Sequence, residues 1–138
     1  MNILIGGSMS FADKMFEVQD ILTQQGHTVK LSPGINFFLE NPDAKMDFDQ
    51  ELQFCKETGI MKKFFDEIAI SEAVVFLNYD KRGISGYIGA SVLMEIGIAY
   101  YLGKKIFLTN AIDQSQGYAL EVLLTDPTII NGDLSLIK

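Results

Sequence analysis

The chain has 138 residues, 48% of them apolar and 21% charged, which is the composition of one globular domain with a core and not of a disordered segment. Its formal net charge of -7 argues against a nucleic-acid-binding surface, because a phosphate backbone is normally met by clustered Lys and Arg. A small phosphorylated ligand, which needs only a few local donors, stays open.

The opening MNILIGGSMS lacks the basic start of a signal peptide and runs directly into a Gly-rich turn. Asn2–Ile5 is a short apolar run ended by Gly6-Gly7-Ser8, the pattern of a buried first strand. Ser8 or Ser10 offers an N-cap for a helix to about Gln25, whose Phe11, Met15, Val18, Ile21 and Leu22 keep helical spacing. Gly26 stops it, and His27–Leu31 gives a second strand. In the segment 32–49, Pro33-Gly34 and Asn41-Pro42-Asp43 are turn signals, and Asn36–Leu39 is too short an apolar run to assign. Helices are expected over about Asp49–Lys56 and Met61–Glu72, separated near Gly59. Phe38, Phe48, Phe54, Phe64 and Phe65 are expected in the core rather than on a stacking surface. The single Cys55 has no partner for an internal disulfide and no base beside it, so it reads as an inert thiol of a reducing compartment.

Ala73–Leu77 is an unbroken apolar run with β-branched residues, as in a parallel strand covered on both faces. A polar loop, Asn78–Gly83, follows, and then a helix from about Gly89 or Ser91 to Leu102, closed by Gly103. The run from Ile84 to Gly103 approaches the length of a bilayer span. Glu95 at its middle, its glycines and the strand-like Lys105–Thr109 behind it favour a globular, cytoplasmic protein without a membrane segment. A helix over about Gln116–Leu124 and a short strand at Thr128–Ile130 complete the chain.

Strands alternating with helices imply right-handed crossovers and one domain over residues 1–138. The expected architecture is a Rossmann-like α/β three-layer sandwich around a parallel, doubly wound sheet of about five strands. Ligands of such sheets bind beyond the carboxyl ends of the strands, near the switch in strand order. That edge collects Gly6-Gly7-Ser8, the loop from Asn78 to Gly83, Thr109-Asn110 and the start of the helix that carries Glu95.

Glu95 is the one ionisable acid between Arg82 and Lys104, in otherwise apolar, small or uncharged surroundings. Burying such a carboxyl unpaired is costly, so it must shift its pKa, find a partner or open onto a cavity. Near the positive end of its helix dipole it is expected to stay ionised, suited to attack a sugar's anomeric carbon. The competing reading is a buried acid neutralised by hydrogen bonds or by a Lys across an interface. Ser91 lies one turn back on the same face, and Gly89 stands at the head of the helix. The turn Gly6-Gly7-Ser8 offers backbone N–H groups to an anion or a ribose hydroxyl, although a plain strand-to-helix turn explains it equally well. Asn78 and Asp80 can hold sugar hydroxyls or a base edge, Asp80 can serve as an acid beside Glu95, and Asn110 faces the same edge. Lys81 and Arg82 can meet a phosphate, and a solvated turn is their alternative. With His27 as the only histidine there is neither a Ser-His-Asp triad nor a metal site of usual ligand spacing, and no cofactor is expected. Asp47, Asp49, Glu51, Glu57, Asp66 and Glu67 look like solvated faces, with Asp47 or Asp49 near enough in sequence to border the site.

The strand AVVFLNYD, its loop, and then GASVLMEIGIAYYLGKKIFL resemble the nucleoside 2-deoxyribosyltransferase superfamily, which includes 2′-deoxynucleoside 5′-monophosphate N-glycosidases. Glu95, Gly97, Ala99, Gly103 and Lys104 match its E-[IL]-G-x-A-x-x-x-G-K signature, and Ile5-Gly6-Gly7-Ser8 is similar to its first strand and ligand-contacting turn. The resemblance implies a flavodoxin-like fold and a homo-oligomer, dimer or larger, whose sites border neighbouring chains. It also implies a small-molecule nucleoside or nucleotide substrate attacked at C1′ by Glu95. Transferases of the family carry an Asp in the loop before the glutamate. Here Gly86–Ser91 contains no acid, which leaves general acid help to Asp80 or to a neighbouring subunit. The same residues would also suit a nucleotide-binding module without catalysis, or an apolar helix that packs on its own copy through Tyr100 and Tyr101.

Overall fold

Side chains along the central strands alternate between two buried faces, and this alternation builds both halves of the core. The computed structural model describes residues 1–138. Strands β1 (Asn2–Gly7), β2 (Thr28–Lys30), β3 (Ala73–Leu77), β4 (Lys105–Leu108) and β5 (Thr128–Ile129) form one all-parallel sheet in the order β2-β1-β3-β4-β5. Leu4, Val74, Phe76, Ile106 and Leu108 point to one face, while Ile3, Ile5, Ala73, Val75, Leu77 and Phe107 point to the other. All five side chains of β3 are buried, as expected of a central strand covered on both sides.

The first face is covered by α4 (Ile60–Ile70), α5 (Ala90–Tyr101) and α6 (Ala119–Leu124), through Phe64, Ile68, Val92, Ile96, Ala99 and Val122. The second is covered chiefly by α1 (Ala12–Gln24), whose Ala12, Met15, Val18 and Leu22 recur at helical spacing, together with Ile35, Ile130 and Ile137. Helices on both faces of a parallel sheet in this order make a flavodoxin-like α/β sandwich. No helix is long and apolar enough to cross a membrane.

The structure departs from the sequence reading at several points. Ile35–Glu40 is a short helix, α2, set between the two turn signals that obscured it. The first long helix begins only at Ala12, after a 3-10 turn over Met9–Phe11 that Ser8 caps through its side chain. Helix α3 (Phe48–Thr58) is capped by Asp47 in a reciprocal pair with Gln50, so Phe48 falls in the first turn, 80% exposed, and not in the core. Of the five phenylalanines expected inside, only Phe64 is buried, while Phe38, Phe54 and Phe65 are half-buried. Ile21 lies on the outer side of α1, 43% exposed. Gly59 separates α3 from α4 in the left-handed conformation, φ 60°, where a side chain would be strained.

Candidate functional site

The strand order reverses between β1 and β3, and the crevice beyond their carboxyl ends holds the candidate site. Gly7 closes β1 at φ 136°, and a Cβ there would meet the Leu77 carbonyl oxygen at 2.8 Å, so only glycine lets the chain turn this close to β3. A Cβ on Gly6 would lie 2.8 Å from the Phe64 ring, which packs across the strand at that point. Ser8 follows. Its Oγ accepts from the Lys81 ammonium at 2.8 Å, and Lys81 also lies over the Tyr87 ring, 5.4 Å from its centre.

The segment that leads into α5 is fixed from behind. Gln116, buried, accepts from the Ile88 N–H and donates to the Gly86 carbonyl, both at 3.0 Å. The Tyr118 hydroxyl donates to the Ile88 carbonyl. The helix then starts at Gly89, which has no side chain to cap the free N–H groups of the first turn.

A cavity of about 530 Å³ opens against this start. Gly7, Ser8, Lys81, Tyr87, Gly89, Ser91 and Glu95 line it, with apolar walls from Met9, Ile60, Met61, Phe64 and Val92. Glu95 sits in the second turn of α5, beside the buried Val92, Ile96 and Ala99. Burial pushes its carboxyl from the ordinary 4.5 up to about 8, with no ion pair or hydrogen bond to offset the desolvation. The sequence reading had it ionised by the helix dipole; here the loss of water outweighs the dipole, and at neutral pH the carboxyl is mostly protonated. A carboxyl this strongly perturbed beside a cavity is a candidate functional group.

Of the residues singled out from sequence, Gly7, Ser8, Gly89, Ser91 and Glu95 meet in this cavity. Gly6, Asn78, Asp80 and Asn110 do not line it. Asn78 is buried and spends its side chain on the neighbouring strand end. Its Oδ1 accepts from the Thr109 hydroxyl at 3.1 Å and the Asn110 N–H at 2.9 Å, and its Nδ2 donates to the Asn110 carbonyl at 2.7 Å. Asn110 is thereby tied to β3. Asp80 is exposed and accepts from the Gly86 N–H at 3.2 Å, which shapes the loop. Asp47 and Asp49 also lie outside the cavity, whereas Glu51, one helical turn beyond Asp47, lines it. Tyr87 and Glu51 were not assigned to the site from sequence. Nothing in the spacing of Glu51 separates it from the solvated acids around it. No cluster of His, Cys, Asp or Glu is placed to hold a metal ion.

The order of strands and the crevice define a flavodoxin-like α/β sandwich that carries a glutamate on the helix beside the crevice. Among solved structures the chain is similar to BcmB, a CMP N-glycosidase of Clostridium botulinum, with a TM-score of 0.52, 18% identity, and coverage of 94% of this chain and 84% of that one. At that identity the likeness establishes the fold. No family model and no curated protein matches the sequence.

Proposed function

We propose that this protein cleaves the N-glycosidic bond of a 2′-deoxynucleoside or, as the donors in the cavity favour, of its 5′-monophosphate. The observation that carries this reading is Glu95, a carboxyl stripped of most of its water that opens into a cavity large enough for a nucleotide. In its ionised form an oxygen of Glu95 attacks C1′ of the sugar. A C1′–O bond forms as the C1′–N bond breaks, and the electron pair leaves with the base, which takes up a proton. Water or a second base then takes the sugar from the glutamate. Positive charge develops on the sugar in the transition state, beside a carboxyl that desolvation keeps neutral in the empty site. The interaction with the carboxylate is therefore stronger in the transition state than in the ground state. Lys81, Ser8, Ser91 and the first-turn N–H groups of α5 are the donors for the 5′-phosphate. Neither step calls for a metal or a cofactor. The C. botulinum neighbour, a CMP N-glycosidase, supports the class of reaction.

A nucleotide-binding role without catalysis is the second reading, favoured by the placement of Asp80 outside the cavity. Incubation with a panel of deoxynucleosides, deoxynucleotides and ribonucleotides, followed by chromatography, separates the two. Free base is expected from at least one monophosphate, with a rate that falls by about a thousandfold or more in Glu95→Gln. Thermal stabilisation by nucleotides without any free base selects the binding role. We also assign the exposed, uncharged side of α5 to self-association, since Met94, Tyr100 and Tyr101 on it are in contact with solvent.

A further inference from the structure

A second cavity of about 370 Å³ adjoins the first, and Met9, Gly34, Glu51, Cys55 and Ile60 line both. Its remaining walls are Phe37, Phe38, Ala44, Met46 and Phe54, so the space past the junction is apolar and aromatic. None of the donors at the start of α5 reaches it: Ser8, Lys81 and Ser91 line the first cavity alone. The combined space thus has two ends. One carries the Lys81 ammonium, the hydroxyls of Ser8, Ser32, Tyr87 and Ser91, the Glu95 carboxyl and free N–H groups. The other carries a single acid, Glu51, among apolar and small neighbours. Glu51 makes no salt bridge, since the three ion pairs of the molecule are Lys14–Glu17, Lys30–Glu67 and Lys62–Asp66.

Resting on the N-glycosidic reading above, we propose that Glu51 is a specificity-determining residue that selects a leaving base bearing an exocyclic amine. A nucleotide whose phosphate is held at Lys81 and Ser8 extends its base toward the junction. The ring then lies against Met9, Ile60 and Cys55, and its edge meets Glu51. A carboxylate accepts hydrogen bonds at both oxygens and donates none. It therefore pairs with the amino group of cytosine or adenine, and opposes the carbonyl that uracil or hypoxanthine presents at the same position. Rejection of the keto base follows from placing two acceptors face to face, which forfeits the hydrogen bond that the amino base makes with the exposed Glu51 carboxylate. The neighbouring aromatic cavity leaves room for a substituent on that amine.

The test compares CMP with UMP, their 2′-deoxy forms, and AMP with IMP, in wild type, Glu51→Gln and Glu51→Ala, by base release and by thermal shift. The wild type is expected to favour each amino base over its keto counterpart by at least about tenfold. Glu51→Gln can donate as well as accept, and should bring that ratio close to one by improving the keto substrates. Glu51→Ala should lower it by weakening the amino substrates. Base release with the same amino-to-keto ratio in all three proteins overturns the role of Glu51 and leaves the N-glycosidic reading intact. If no protein releases base, that reading fails and the thermal shifts decide. Preferential stabilisation by CMP over UMP, lost in Glu51→Gln, upholds the recognition role, while equal stabilisation or none overturns it.

Discussion

Glu95 destabilises the fold wherever it must ionise. Its folded-state pKa, about 8, lies above the ordinary 4.5, so the two states differ between those values. Below 4.5 the carboxyl is neutral in both states and costs the fold nothing. As pH rises from there, the unfolded chain releases a proton that the folded chain keeps, and stability falls until about pH 8. The fully developed cost is on the order of 5 kcal/mol. Glu95→Gln should therefore raise the melting temperature only slightly at pH 4 and by several degrees at pH 8.5, as calorimetry at the two values would read. Equal shifts at both would show that the carboxyl is not desolvated. The same titration belongs in the rate. A nucleophile must be ionised, so kcat/KM should climb with pH and level off above about 8. The sequence exposed Glu95 because no other acid competes with it between Arg82 and Lys104. It hid Glu51 because α3 carries several acids at similar spacing, and only the fold brings one of them to the cavity.

At the scale of the element, the site depends on where α5 begins, and that is fixed by side chains thirty residues further on. Gly86 has φ 62°, and a Cβ there would run into the Ala111 carbonyl oxygen, so the loop closes against that backbone only with glycine. Gly86→Ala should cost about 3 kcal/mol or more. Gln116→Leu leaves the Ile88 N–H and the Gly86 carbonyl unpaired, at a cost of about 2–4 kcal/mol, while Gln116→Glu keeps the acceptor but sets a buried carboxylate against the Gly86 carbonyl oxygen, a cost that protonation relieves. Urea midpoints at neutral pH should place Gly86→Ala, Gln116→Leu and Gln116→Glu all below the wild type, with Gln116→Glu alone recovering at low pH; a Gln116→Leu protein as stable as the wild type would refute the clamp. None of this was legible from the chain, where Gln116 looked like the start of a helix. Ala73–Leu77 was legible to the residue because a run buried on both faces has no polar position to blur its ends. Ile35–Glu40 was not, because Gly34 gives it no side-chain cap and turn signals stand on either side.

Over the whole molecule, the alternation of strand and helix gave the parallel sheet, and the crevice rule gave the edge on which ligands should lie. What those rules do not contain is which strand-end side chains are free. Asn78 and Asp80 stand on the right edge, but their hydrogen bonds are taken up by Thr109, Asn110 and Gly86. Nor do they say why α5, apolar over nearly its full circumference, leaves Met94 49%, Tyr100 58% and Tyr101 85% exposed. A helix of that kind is normally covered on more than one side. Helix α4 and the sheet cover one, and Ser91, exposed on the other, also lines the cavity, so a copy docked on this face would border the site. In a two-fold interface each residue meets the same patch of its partner, so one introduced charge is opposed by its own image. Tyr101→Glu should therefore abolish the proposed self-association and sediment as a monomer in velocity runs. Its melting temperature at high dilution should stay close to that of the wild type, because an exposed side chain contributes little to the fold of one chain. A wild type that sediments as a monomer at every concentration would remove the proposed contact, and base release per protein molecule would then be independent of protein concentration.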